Sequence, residues 1–270
     1  MPQTIVMFSG GAASAVAGYR AMERYGREEL TLLFCDTLME DDDTYRFLDD
    51  AAAWIGVAVT RLCEGRTPWQ VFRDRKFLGN TRADPCSFHL KRQIAQQWVK
   101  AHTTTNTRIV IGLDSCERHR IEAIAAHWAP RQVEFPLFWA PPMDKDACRS
   151  VLRKAGVREP RLYALGFAHN NCGGFCVKAG QAHFRHLLAT LPERYAYHEA
   201  QEEALRQKLG GVAILRDRRG GRTQSLSLRN FRELCEQQGT DAGHQEELWG
   251  GCGCFTDTHD TPEEPTHESR

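Results

Sequence analysis

Thr4-Ile5-Val6-Met7-Phe8-Ser9-Gly10-Gly11-Ala12-Ala13-Ser14 is the stretch that decides the fold. Its first half is β-branched and apolar without alternation, which is how a strand buried on both faces reads. Ser9-Gly10-Gly11 breaks that run with a turn. Ala12 to Tyr25 follows, rich in Ala, Met and Arg and closed by Gly26, the pattern of a helix with a C-terminal glycine. Working outward, the same alternation repeats. Leu30 to Cys35 is an apolar strand, Asp43 to Ile55 has helical spacing and stops at Gly56, and Val57 to Leu62 is a third strand. Phe88 to Ala101 reads as a helix, Arg108 to Ile111 as a fourth strand, Glu117 to His127 as a helix and Val133 to Phe135 as a short fifth strand. Asp144 to Ala155 is a helix with an acidic start. The expected fold is therefore α/β: a Rossmann-like, parallel five-stranded sheet with helices on both faces.

Beyond Tyr163 the alternation stops. Gln181 to Leu191 and Glu193 to Leu209 read as helices among cysteines, glycines and the basic loop Arg216 to Arg222. Three regions are expected: an α/β nucleotide-binding domain over 1–160, a smaller Cys-rich helical region over 161–256, and a polar, disordered tail over 257–270. The chain has 270 residues, with 35 basic against 35 acidic side chains. That balance excludes a strongly basic coat for nucleic acid. Hydrophobic residues at 41% exclude a disordered chain. The longest apolar run, Ala51 to Val59, falls far short of the roughly 20 residues a bilayer needs. No basic residue precedes Arg20, and Ser9-Gly10-Gly11 interrupts the apolar start, so a secretory leader is not expected. The expected location is cytoplasmic.

The turn after the first strand carries the chemistry. A helix start leaves backbone N–H groups unpaired and a positive dipole end, and small residues let an anion approach them. Ser9 and Ser14 can add hydroxyls. The loop has no lysine, so it is not a G-x-x-x-x-G-K-[ST] loop, and it is not G-x-G-x-x-G either. Two readings stand: a tight turn that binds nothing, or a phosphate cradle at the end of the first strand.

Ten cysteines form two sets. Cys35, Cys63, Cys116, Cys148 and Cys235 are scattered, and Cys35 reads as a small buried hydrophobe. Cys172 and Cys176 are clustered, Cys252 and Cys254 flank one glycine, and Cys86 lies in Pro85-Cys86-Ser87. Three chemistries fit these spacings: a four-thiolate zinc site, an iron–sulfur cluster held by Cys86, Cys172, Cys176 and one of the last pair, or metal-free redox thiols. Cys254 is preferred to Cys252 as the fourth ligand. His169, His183 and His186 read as surface or packed polar residues.

Ser9-Gly10-Gly11-Ala12-Ala13-Ser14 resembles the SGGxxS pyrophosphate loop of the PP-loop ATP pyrophosphatases. The resemblance continues through Phe34-Cys35-Asp36-Thr37 and through Cys86-Ser87-Phe88-His89-Leu90-Lys91, similar to the C-x-x-x-L-K segment of the PAPS reductase-like branch. It extends to Gly112-Leu113-Asp114-Ser115-Cys116-Glu117-Arg118-His119-Arg120 and to Asn171-Cys172-Gly173-Gly174-Phe175-Cys176, covering roughly residues 4 to 255. The resemblance implies an adenine nucleotide α-hydrolase-like fold and an ATP substrate with Mg²⁺. Ser9, Gly10, Gly11, Ala12, Ala13 and Ser14 would hold phosphate, Asp36 would sit near the nucleotide or its Mg²⁺, and Gly112 would let the adenosine approach. Lys91 and Arg120, with Arg92 beside them, are the expected cations, and Glu117 would orient Arg120. A [4Fe–4S] cluster is frequent in that branch, with Zn²⁺ or free thiols as alternatives.

The implied activity is an ATP pyrophosphatase that adenylylates a substrate, DNA or tRNA, so that sulfur can enter, as in DNA phosphorothioation or tRNA thiolation. A sulfur-donating cysteine desulfurase would be its partner. The terminal Gly251-Cys252-Gly253-Cys254-Phe255 lacks the Glu-Cys-Gly-[Leu/Ile]-His setting of true PAPS or APS reductases. A thioredoxin-coupled reductase is the alternative, and a non-catalytic nucleotide or redox sensor the third. The basic residues Arg216 to Arg222, Arg229 and Arg232 would supply a nucleic-acid face or a solvated loop.

Overall fold

A computed structural model describes residues 4–80, 83–218 and 222–238. In chain order the elements are β1 (Thr4–Met7), α1 (Ala12–Tyr25), β2 (Leu30–Asp36), α2 (Asp42–Ile55), β3 (Val59–Cys63), α3 (Pro68–Asp74), α4 (Pro85–Ser87), α5 (Ile94–His102), β4 (Arg108–Ile111), α6 (Ile121–Trp128), β5 (Val133–Glu134), α7 (Lys145–Lys154), α8 (Arg161–Ala164), α9 (Gln181–Thr190), α10 (Pro192–Leu209), β6 (Leu215–Asp217), β7 (Gln224–Leu226) and α11 (Leu228–Gln238). The sheet runs β3-β2-β1-β4-β5 with every pair parallel. The expected α/β architecture is therefore present, and the strand order reverses between β1 and β4.

Side-chain alternation along the strands builds the layers. Val6, Leu32, Phe34 and Val110 face α1, α2 and α7 in one core. Their neighbours Ile5, Met7, Leu33, Cys35, Ile109 and Ile111 face α5 and α6 in another. Cys35 is buried there, as a small apolar side chain. A third core joins Trp69, Phe72 and Leu78 to residues from Leu162 to Cys235, so α3 packs with the C-terminal region.

Three local features depart from the sequence reading. The helix expected over Phe88 to Ala101 opens as a π-helical segment, Phe88–Gln93, before α5. The helix expected from Glu117 starts as a 3₁₀ segment, Ser115–Arg120, before α6. Arg216 and Asp217, expected in a basic loop, lie in β6, which pairs antiparallel with β7, and Glu202 anchors this pair by accepting the N–H groups of Ile214 (2.8 Å) and Leu228 (2.6 Å). Arg216 donates to the carbonyls of Ala213 and Leu215, while Arg229 and Arg232 pair with Glu199. Those cations are thus engaged within the chain rather than arrayed as one basic face. The disordered tail expected over 257–270 lies outside the described residues, as do Cys252 and Cys254. No helix among the described residues is long and apolar enough to cross a membrane.

Asp41 ties the two ends of the described chain together. It is fully buried, caps α2 through the Asp43 N–H (3.0 Å), and receives Arg161 (2.7 Å) and Arg194 (3.0 Å). Burial pushes its carboxyl up, but the Arg161 hydrogen bond, the Asp43 N–H and the charges of Arg161 and Arg194 outweigh that, so it titrates below the usual range. Its contribution is complete above the unfolded carboxyl value of about 3.9 and is lost as the pH falls through its lower folded value. Asp41→Asn should destabilise the protein at neutral pH by ~3 kcal/mol, since it leaves buried donors mispaired. Chemical denaturation at several pH values checks this, with the gap to wild type expected to narrow in acid.

Candidate functional site

A cavity of about 250 Å³ opens at the carboxyl ends of β1 and β4, where the strand order reverses. Ligands of open α/β sheets sit at such a position. The Ser9–Ser14 loop forms one wall, and Gly10 turns it with a φ of +78°, a conformation that favours glycine. Asn170 pins the turn by donating to the Gly10 carbonyl (2.8 Å) and accepting the Thr44 hydroxyl (3.2 Å).

The loop's own donors are only partly free. Ser14 Oγ accepts the Ser9 N–H (3.2 Å) and the Ser9 hydroxyl (3.1 Å) and donates to the Gly11 carbonyl (2.9 Å). Both serine hydroxyls therefore help to hold the loop shape. The Ala12 N–H donates to Tyr163 Oη (3.3 Å). The N–H groups of Ala13 and Ser14, in the first turn of α1, have no intrahelical acceptor, and both residues line the cavity.

Gly112 also lines the cavity, and the geometry gives its reason. A Cβ there would meet Ser14 Cα at 2.6 Å, Ser14 N at 2.7 Å and the Ala13 carbonyl carbon at 2.8 Å. Glycine at 112 thus leaves room for the backbone of α1's first turn.

Opposite the loop stand Glu117, Arg120, Lys145, Arg149 and His169. Arg120 pairs with Glu117 at 2.6 Å, the orientation expected from their spacing. Arg149 is held by Glu159 at 2.6 Å. Burial, then the charges of Lys145, His183 and Arg120, push His169 down to about 4, so it is neutral at physiological pH. Lys145, Arg149, Tyr163 and His169 were missed as site residues in the sequence. They arrive on α7, α8 and the loop after α8, and no local motif marks them.

Asp36 does not line this cavity. Its carboxylate accepts the Leu38 N–H (2.8 Å) and the Tyr45 hydroxyl (2.9 Å), closing the end of β2. Lys91 is also elsewhere. It lines a second, smaller cavity of about 30 Å³ with Cys86, Cys172 and Cys176. Its ammonium is buried 3.7 Å from Glu40, and although burial lowers its pKa, Cys172 and Glu40 more than reverse that, so it stays charged. Glu40 also accepts the Cys172 N–H (2.6 Å) and the Thr37 hydroxyl (2.9 Å). Arg92, next along, pairs with Asp84 at 3.2 Å. Burial pushes the Cys172 thiol up to about 12 and raises Cys86 and Cys176 as well. His183 and His186 bond the carbonyls of Gly174 and Leu165, each at 2.7 Å, and so brace this segment. Asn171 lines both cavities. Among the described residues no three His, Cys, Asp or Glu side chains form a ready metal-holding group.

No family model matches the chain, and no curated protein matches it. Solved structures do match. Among them is a PAPS reductase. That structure, phosphoadenylyl-sulfate (PAPS) reductase from Candida auris in a phosphate complex, is 15% identical with a TM-score of 0.46, over 63% of this chain and 81% of that chain. The fold and the chemistry of the site rest on this chain's own residues.

Gly112→Ala should force β4 and α1 apart and cost ~2–3 kcal/mol, the scale of overpacking against backbone that cannot yield. Thermal melting reads the stability loss, and nucleotide titration should show affinity falling with it.

Proposed function

We propose that the larger cavity binds ATP by its phosphates and that the protein is an ATP pyrophosphatase of the adenylyl-transferring type. The observation that carries this reading is the glycine loop at the end of β1 lining one cavity together with the cations Arg120, Lys145 and Arg149. An oxygen of the acceptor substrate attacks the α-phosphorus, the bond to the bridging oxygen breaks, and pyrophosphate leaves with the electron pair. Charge grows on the departing phosphates, where fixed N–H groups and cations are most effective. Mg²⁺ enters as part of the Mg·ATP substrate, near the cavity's carboxylates Asp114, Glu117 and Asp146.

In the fuller form of the proposal the acceptor is a nucleic acid, DNA or tRNA. Sulfur from a partner donor then replaces the adenylylated oxygen and AMP departs. Because Arg216, Arg229 and Arg232 are engaged within the chain, contacts to that polyanion would come largely from a partner. Pyrophosphate release from ATP with candidate acceptors tests the first step. Arg120→Ala should slow it about a hundredfold, the scale for losing one charge-stabilising group. Lys145→Ala should weaken ATP binding about tenfold by isothermal titration. Absence of both ATP binding and pyrophosphate release would reject the proposal.

The thiols beside this cavity favour one competing reading, a reductase of PAPS or APS, and sulfite release with thioredoxin would select it. Binding of ATP with no turnover would select a sensor. Cys86, Cys172 and Cys176, each half-buried, line one small space; no three side chains among the described residues form a ready metal-holding group, but sulfur is the donor a soft metal centre takes. We therefore propose that Cys86, Cys172 and Cys176, with Cys254 as fourth ligand, hold a [4Fe–4S] cluster, zinc being the alternative. Bound there, the cluster would supply redox chemistry. Anaerobic protein should carry about four irons per chain, and Cys172→Ser should lose them; metal-free protein would leave the pocket as thiols alone.

A further inference from the structure

Side chains that reach the glycine loop come from far along the chain, and Tyr163 is the most intimate of them. Its hydroxyl lies 3.3 Å from the Ala12 N, across 151 residues. A phenol hydroxyl has one proton to give and can also accept. At Tyr163 the acceptor role is taken by the Ala12 N–H, and among the described residues no protein acceptor receives the proton. Tyr163 lines the nucleotide cavity. We propose that Tyr163 is a phosphate-positioning residue: it takes the first N–H of α1 and presents its own O–H to the phosphate chain of the bound nucleotide. This rests on reading the cavity as a phosphate site and adds the group that sets the phosphate's distance from the loop.

Three further observations support it. The serine hydroxyls of the loop, the obvious donors, are engaged with each other and with the Gly11 carbonyl, so the tyrosine supplies the hydroxyl they cannot. The ring is held: Arg149 lies 5.5 Å from its centroid and is itself fixed by Glu159, and the ring packs against the core shared by α1 and α7. The fit of hydroxyl to loop also depends on a missing side chain, because a Cβ at Gly11 would stand 3.0 Å from Tyr163 Oη. Burial pushes the phenol up to about 12, so the proton is present throughout the neutral range. An O–H aimed at a phosphate oxygen is a charge-assisted hydrogen bond, stronger than one between neutral groups.

The test uses the full chain and Tyr163→Phe, titrated calorimetrically with Mg·ATP, Mg·pyrophosphate and adenosine. Phe should weaken ATP and pyrophosphate about tenfold or more, the scale of a lost hydrogen bond to a charged group. It should leave adenosine binding unchanged. Equal affinity of wild type and Tyr163→Phe for ATP would overturn the inference while leaving the nucleotide site intact, and an equal loss for ATP and adenosine would assign the ring a purely shaping role. A wild-type chain that binds neither ATP nor pyrophosphate would remove both this inference and the site itself. A second measurement does not depend on Phe being tolerated. With Tyr163 replaced by 3-fluorotyrosine, its ¹⁹F resonance should shift on adding pyrophosphate and stay put on adding adenosine; a resonance blind to pyrophosphate would also overturn the inference.

Discussion

No side chain fits between the end of β4 and the first turn of α1. Gly112 and the backbone of Ala13 and Ser14 meet at distances that leave no room for a methyl group. That contact sets how closely the two halves of the sheet approach where their order reverses. The cavity and the first turn of α1 that lines it take their positions from it. A strand–turn–helix with small residues would exist without Gly112, but the neighbouring strand would then stand too far off to close the pocket.

The C-terminal region from α8 to α10 is fastened to this frame by polar contacts as well as by the third core. Arg161 and Arg194 converge on Asp41, Asn170 bridges Thr44 and Gly10, and the Cys172 N–H ends on Glu40. Each contact joins a residue past 160 to the loop after β2, the start of α2 or the glycine turn. Buried charged groups of this kind contribute little net stability when intact but fix one arrangement strongly, because any other leaves a charge or donor unpaired. A site assembled from both ends of a chain needs that kind of fastening.

Much of this was legible in the sequence. Unbroken apolar runs mark β1, β2 and β4, and Gly26 and Gly56 mark helix ends, because these signals are local and periodic. The glycine loop and the pairing of Glu117 with Arg120 were legible for the same reason. Thr67-Pro68 with Gln70 carries a capping box for α3 that was equally local and was passed over. Lys91 was harder. Its helix period is readable, but the π-helical turn from Phe88 to Gln93 widens the spacing so that Lys91 and Arg92, adjacent in sequence, are both buried. Lys91 consequently lines the cavity of the thiols, beside Glu40, rather than that of the glycine loop. Tyr163, Lys145 and Arg149 left no trace at all, since what makes them site residues is the distance across the fold to residue 12.

Asn171 is a party wall. One side of it belongs to the larger chamber and the other to the chamber of the three sulfurs. Two occupants separated by a single residue share whatever strain or slack that residue has. If filling one room tightens the wall, the tenant next door is held more firmly, and thermodynamic reciprocity requires the favour to be returned in equal measure.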